Sequence, residues 1–189
     1  MAAILAALAA TDNAGLADSF WRPLTEVPAV VAEQVPEYCG GAYLQPLFPY
    51  PDDADPDDYP IRAEAGSVSY QVEGMVELGR GVRLEQGNRT VTAGRAVLDQ
   101  QTRQGSLSDG VWLLEPGVAM QGRRADVNLD SRAARVEEVE FVLLQSALRG
   151  DASSMAQNPD GDLRIAGGSF TRCEPGNDNW RISASSLVV

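Results

Sequence analysis

From Ile61 onward, apolar and polar residues alternate. Val68, Tyr70 and Val72 are separated by Ser69 and Gln71; Val76, Leu78, Val82 and Leu84 follow. The texture continues through Val91, Val111, Leu113, Val127 and Leu129, then Val139, Phe141 and Leu143, and on to Ile165 and Ile182. Apolar residues at every second position, bounded by turn residues, are the pattern of half-buried β-strands. Turn signals fall at Gln86-Gly87-Asn88, Ser108-Asp109-Gly110, Pro116-Gly117, Asn158-Pro159-Asp160-Gly161 and Pro175-Gly176-Asn177. Short strands at this spacing predict an all-β sandwich, barrel or roll.

A faint internal repeat refines that expectation. Four segments begin alike, at Ile61, Val91, Met120 and Leu148, with starts 30, 29 and 28 residues apart. Each unit has room for about two strands, which predicts stacked antiparallel hairpins with one continuous apolar face. The residues named above are the candidates for that inward face. The same pattern is how any plain hydrophobic core is built, and a one-residue slip would invert every assignment.

The flanks differ in character. Residues 1–38 hold a short apolar run that resembles a secretory signal without its basic start, then an irregular extension punctuated by Pro23, Pro28 and Pro36. A short helix is expected around Val30 to Val35. Residues 39–60 carry a cysteine motif and a Pro/Asp-rich linker, whose prolines oppose both helix and central strand. Residues 61–189 form the β-region, and their last stretch, from Trp180 to Val189, reads as a strand still in progress, as though the chain were the first part of something longer.

Composition removes much chemistry. The 189 residues contain no histidine and only two cysteines, so imidazole-dependent catalysis and four-ligand Cys/His zinc sites are excluded. The formal net charge of −12 speaks against a nucleic-acid partner. The acidic run at residues 52–58 places Asp53, Asp55, Asp57 and Glu64 at calcium-loop spacing, but Asp58 stands where the turn needs glycine. A solvated linker is the better account, and no metal or cofactor is expected. Glu137 and Glu138, or Asp57 and Asp58, could be drawn as a glycosidase dyad, yet each acid has an ordinary surface role. Arg123, Arg124 and Arg149 could meet phosphates, with surface solvation as the alternative. Cys39 and Cys173 could pair, closing a loop of about 135 residues, await partners elsewhere, or remain inert thiols.

The segment from Gly168 to Trp180, with Phe170-Thr171-Arg172-Cys173-Glu174-Pro175-Gly176 leading to Trp180, resembles a signature of the LptD (OstA/Imp) lipopolysaccharide-assembly family. The stretches Ile61 to Ala65, Leu84 to Asn88, Val91 to Asp99 and Cys39 to Tyr43 resemble the family as well. The resemblance implies a periplasmic OstA-like β-jellyroll (β-taco) with an apolar interior. It implies a non-catalytic role: receiving lipopolysaccharide from a bridge protein of the same fold, LptA, by strand-edge stacking. The acyl chains would then pass to an outer-membrane barrel plugged by LptE. Cys39 and Cys173 would be linked by disulfides to a cysteine pair in that barrel, which this sequence lacks. The location implied is the periplasmic face of the outer membrane. The inward residues would then line a lipid path. A structural or glycan-binding β-solenoid is the alternative; aromatics amount to only 6% and are not grouped on one strand face.

Overall fold

A computed structural model describes residues 15–33, 35 and 39–188. The signal-like run at the start lies outside the described residues. Two short strands, β1 (Trp21–Pro23) and β2 (Gly41–Tyr43), pair with each other. Nine further strands form one antiparallel sheet in simple sequence order: β3 (Arg62–Tyr70), β4 (Met75–Gln86), β5 (Arg89–Asp99), β6 (Gln104–Glu115), β7 (Val118–Asn128), β8 (Ala134–Leu143), β9 (Leu148–Gln157), β10 (Leu163–Thr171) and β11 (Ile182–Val188). The repeat noted in the sequence corresponds to the hairpins β3–β4, β5–β6, β7–β8 and β9–β10. The helical turns are brief: α1 (Leu16–Phe20) and α2 (Ala29–Ala32), the latter overlapping the first half of the segment expected to be helical. None of the described helices is long and apolar enough to cross a membrane.

The sheet is creased along one line across its strands. Arg80, Asp109, Glu138 and Gly167 all have φ between 54° and 65°. They sit 29 residues apart, once per hairpin, in β4, β6, β8 and β10. A left-handed residue costs a non-glycine side chain roughly 1–2 kcal/mol, so its recurrence marks an imposed bend. Register shifts accompany it in the first four strand pairs, β3–β4 to β6–β7. On the neighbouring strands glycine meets the bend. A Cβ on Gly66 would lie 2.7 Å from the Arg80 carbonyl oxygen, one on Gly94 2.6 Å from the Asp109 Cβ, and one on Gly122 2.5 Å from a Val136 methyl. Bulges of this kind strengthen twist and turn a sheet through a corner.

The crease folds the sheet over its own apolar face. Val82, Ala93 and Val111 from one half pack with Ala96, Leu107 and Ala125 from the other. Val139, Phe141 and Ala152 likewise pack with Met155. The turns at the two strand ends become two rims. One carries the turns at 87–88, 116–117, 144–147 and 172–181; the other carries those at 71–74, 100–103, 129–133 and 158–162.

Gly122→Val should therefore destabilise the fold by about 1–3 kcal/mol through overpacking. Gly81→Ala meets nothing within 4 Å and should cost only the left-handed penalty, about 1 kcal/mol. Urea unfolding of both variants checks the contrast; equal losses would show that close approach at the crease is not what Gly122 provides.

Candidate functional site

Directly paired residues in a sheet point to the same face, so the register defines the interior row by row. One row runs Ala63, Leu84, Val91, Leu113, Met120, Phe141, Gly150, Phe170, Ile182. Beyond the crease a second runs Val68, Leu78, Ala96, Leu107, Ala125, Val136, Met155, Ile165, Leu187. A third runs Tyr70, Val76, Leu98, Gly105, Val127, Ala134, Gln157, Leu163. Apart from Gln157, none of these residues carries a hydrogen-bonding side chain other than the Tyr70 hydroxyl. The interior is an apolar strip continuous from β3 to β11. Phe141 lies over Gly150, where a Cβ would come within 2.5 Å of its ring.

Most of the residues expected to face inward do share this face. Leu84, Val91, Leu113, Phe141 and Ile182 lie in the first row. Val68, Leu78 and Ile165 lie in the second, and Tyr70, Val76 and Val127 in the third. Val82, Val111 and Val139 line the crease, each no more than 5% exposed. Leu143 packs against the Val139–Phe141 cluster. Val72 and Leu129 are corrections. Val72 stands in the β3–β4 turn and is 98% exposed; Leu129 follows the end of β7 in a turn and is 38% exposed. In both, the alternation runs past the end of the strand.

The sequence reading missed Ala96, Leu98, Leu107, Ala125, Val136, Met155 and Phe170. Between Ala93 and Ala96, Val136 and Val139, and Ala152 and Met155, the inward positions are three apart, so the parity of alternation flips at the crease. Glycines at 66, 94 and 122 were the available signal. Val97 faces outward beside Glu77 and Ser106.

The outer face is polar where it meets water. One row reads Glu64, Arg83, Thr92, Trp112, Gln121, Glu140, Asp151, Ser169, Ser183. Arg124 is paired with Asp126 at 2.7 Å, and Arg123 bridges Glu137 at 2.9 Å and Glu138 at 2.7 Å. These acids and arginines thus neutralise one another. Asp57 pairs with Arg132, and Asp55 caps the short turn at Pro56–Asp58. Among the described residues no group of three or more acids or thiols is placed to hold a metal ion.

One patch of the outer face is apolar and covered. Leu16 and Phe20 of α1, with Tyr43 of β2, pack on Ala119, Val142 and Leu144, flanked by Trp112 and Leu114. Trp21 meets Tyr43 edge-on at 4.9 Å. The segment thereby delivers Cys39 to Cys173. Both are buried free thiols in this structure. The Cys173 carbonyl accepts from the Tyr43 hydroxyl at 3.0 Å and from Arg149 Nε at 3.1 Å, and its N–H donates to Thr171 Oγ1 at 3.1 Å. Arg149 also donates to the Glu174 and Asn177 carbonyls. It is a largely buried clamp for the loop after β10, with a side chain only 13% exposed, not a solvated surface arginine. Burial pushes the Cys39 thiol up, with the neighbouring Cys173 adding to it. Burial pushes the Tyr43 hydroxyl up likewise.

An antiparallel meander creased over its own apolar face, with both edge strands unpaired among the described residues, defines an OstA-like β-jellyroll. The crystal structure of LptH from Pseudomonas aeruginosa, described as the LptA-homologous periplasmic component of the lipopolysaccharide transport device, shares it. The TM-score is 0.51 at 10% identity, covering 71% of this chain and 98% of that one. In sequence, the LPS-assembly proteins LptD of Pseudomonas savastanoi pv. phaseolicola and of Pseudomonas syringae pv. tomato are each 32% identical over 171 residues, 89% of this chain and 18% of theirs. LptD of Pseudomonas entomophila is 30% identical over the same share. The chain belongs to the LptD family, and spans about a fifth of the length of these relatives. No protein-family model matches it.

Two outcomes follow from the thiol corner. Tyr43→Phe should cost about 1 kcal/mol, the worth of one hydrogen bond, and speed alkylation of Cys173, read by mass spectrometry against Cys39. Cys39 keeps its proton longer folded than unfolded, so its share of stability is full below the ordinary thiol pKa and lost as pH rises through the raised folded value. Unfolding midpoints should fall as pH climbs above about 9, less so in Cys39→Ala.

Proposed function

We propose that this chain is a periplasmic lipopolysaccharide-transport domain. It takes the lipid's acyl chains into its creased interior and hands them toward an outer-membrane barrel. The observation that carries this reading is the apolar strip running unbroken between β3 and β11, the two edges of the sheet among the described residues. Each methylene exposed to water costs about 0.8 kcal/mol, so a lipid with several acyl chains crosses an aqueous compartment only inside a continuous apolar path. A blind pocket would hold such a lipid; a strip open at both edges can pass it on. The polar outer face keeps the protein in water meanwhile.

The edges suit partners of the same fold. All of β11 is exposed, and on β3 Val68 and Tyr70 are 67% and 63% exposed. A strand added to either edge would satisfy the free backbone groups and extend the apolar rows. In this reading an LptA-like bridge protein stacks on one edge. The chain works at the periplasmic face of the outer membrane, beside a barrel plugged by LptE. Cys39 and Cys173, side by side, would be joined by disulfides to cysteines of that barrel. The role is binding and transfer, without catalysis.

Photo-crosslinking during lipopolysaccharide transport tests this. A benzophenone side chain at Leu84 should yield a lipid adduct, whereas one at the adjacent outward position Arg83 should not. Adducts at neither Leu84 nor Phe141 would overturn the reading and leave a closed structural core.

A further inference from the structure

We infer that the ion pair of Asp57, in the acidic loop at residues 51–58 anchored on one rim, with Arg132 on the other is a latch across the mouth of the jellyroll, and that it limits lateral entry and exit of lipid. The inference rests on the lipid-transport reading above.

The anchorage is firm. Gln45 accepts the Gly117 N–H at 2.6 Å in the β6–β7 turn. Asn88, only 3% exposed in the β4–β5 turn, accepts the Tyr50 N–H and donates to the Tyr50 and Pro51 carbonyls, at 2.8 to 3.1 Å. On the loop's return, Tyr59 stacks on Tyr50 with ring centroids 4.2 Å apart. Tyr59 also packs so closely on Gly87 that a Cβ there would lie 2.9 Å from its ring. Both ends of the loop are thus fastened to the first rim.

Pro56 lies there too, its Cα 3.4 Å from where a Cβ on Gly87 would stand, so Asp57 is held at the same rim. Arg132 belongs to the β7–β8 turn, on the second rim. Its guanidinium meets the Asp57 carboxylate, so the ion pair joins one rim to the other. The two side chains are 76% and 43% exposed, and exposed ion pairs are weak and screened by salt. One weak ionic contact between a firmly anchored loop and the opposite rim is the construction of a latch that opens thermally. Pro51 and Pro56 stiffen the loop, and Asp55 accepts the Asp57 N–H at 2.9 Å, which holds Asp57 in place.

The experiment measures exchange of fluorescently labelled lipopolysaccharide, bound to the purified chain, against excess unlabelled lipopolysaccharide at low salt. Arg132→Asn suits the left-handed backbone at that position, φ 60°, and removes the charge without disturbing the interior. It should speed both uptake and release by about two- to five-fold, leaving affinity nearly unchanged. The double variant Asp57→Arg with Arg132→Asp should restore slow exchange, and 0.5 M salt should erase the difference. Wild-type rates in Arg132→Asn, with lipid still bound, would overturn the latch and leave the transport reading intact. Failure of the wild-type chain to bind lipopolysaccharide at all would overturn both.

Discussion

The structure depends on one backbone constraint: a left-handed residue in every second strand, at the same height, four times over. Without it the nine strands would form a twisted open sheet with one apolar face in water. With it, the two halves close on each other, and residues far apart along a strand become packing partners. The constraint is local in cause, since glycine or a tolerated strained residue suffices at each point. It is global in effect, because neighbouring strands must bend together or lose their hydrogen bonds. Gly66, Gly94 and Gly122 let the bend pass from strand to strand.

The second organising contact lies on the outside. A nine-stranded sheet with one polar face would need nothing there, yet Trp112, Leu114, Ala119 and Val142 make a patch of that face apolar. The segment carrying α1 and β2 covers it, and in doing so it places Cys39 beside Cys173. The cover and the thiol corner are one device. Tyr43 packs against the patch with its ring and holds the Cys173 carbonyl with its hydroxyl. Anything that loosens the cover also loosens the loop that carries Cys173.

Much of this was legible in the chain. Alternation identified the strands, the 28- to 30-residue spacing identified the hairpins, and the cysteine motif identified the family. What stayed hidden has physical causes. Alternation cannot be counted across a bend that inserts or drops a residue, so Ala96, Val136 and Met155 were missed. It also cannot tell where a strand ends, so the inward assignment was carried past the strands to Val72 and Leu129, which stand in turns. Arg149 looked like surface charge because its partners are backbone carbonyls of a loop 24 to 28 residues away, and carbonyls have no signature in sequence. The rim-to-rim contact of Asp57 with Arg132 was equally invisible, since it exists only once the sheet is folded over.

The crease has a mechanical consequence. It is one line shared by neighbouring strands that are hydrogen-bonded to each other, so the two halves cannot part at one strand alone. Widening the interior anywhere turns one half about that axis, like a book opened from a single corner. An occupant entering at the β3 edge would therefore slacken the packing around Val139 and Phe141, several strands away. The path would be prepared ahead of its cargo by the stiffness of the sheet itself.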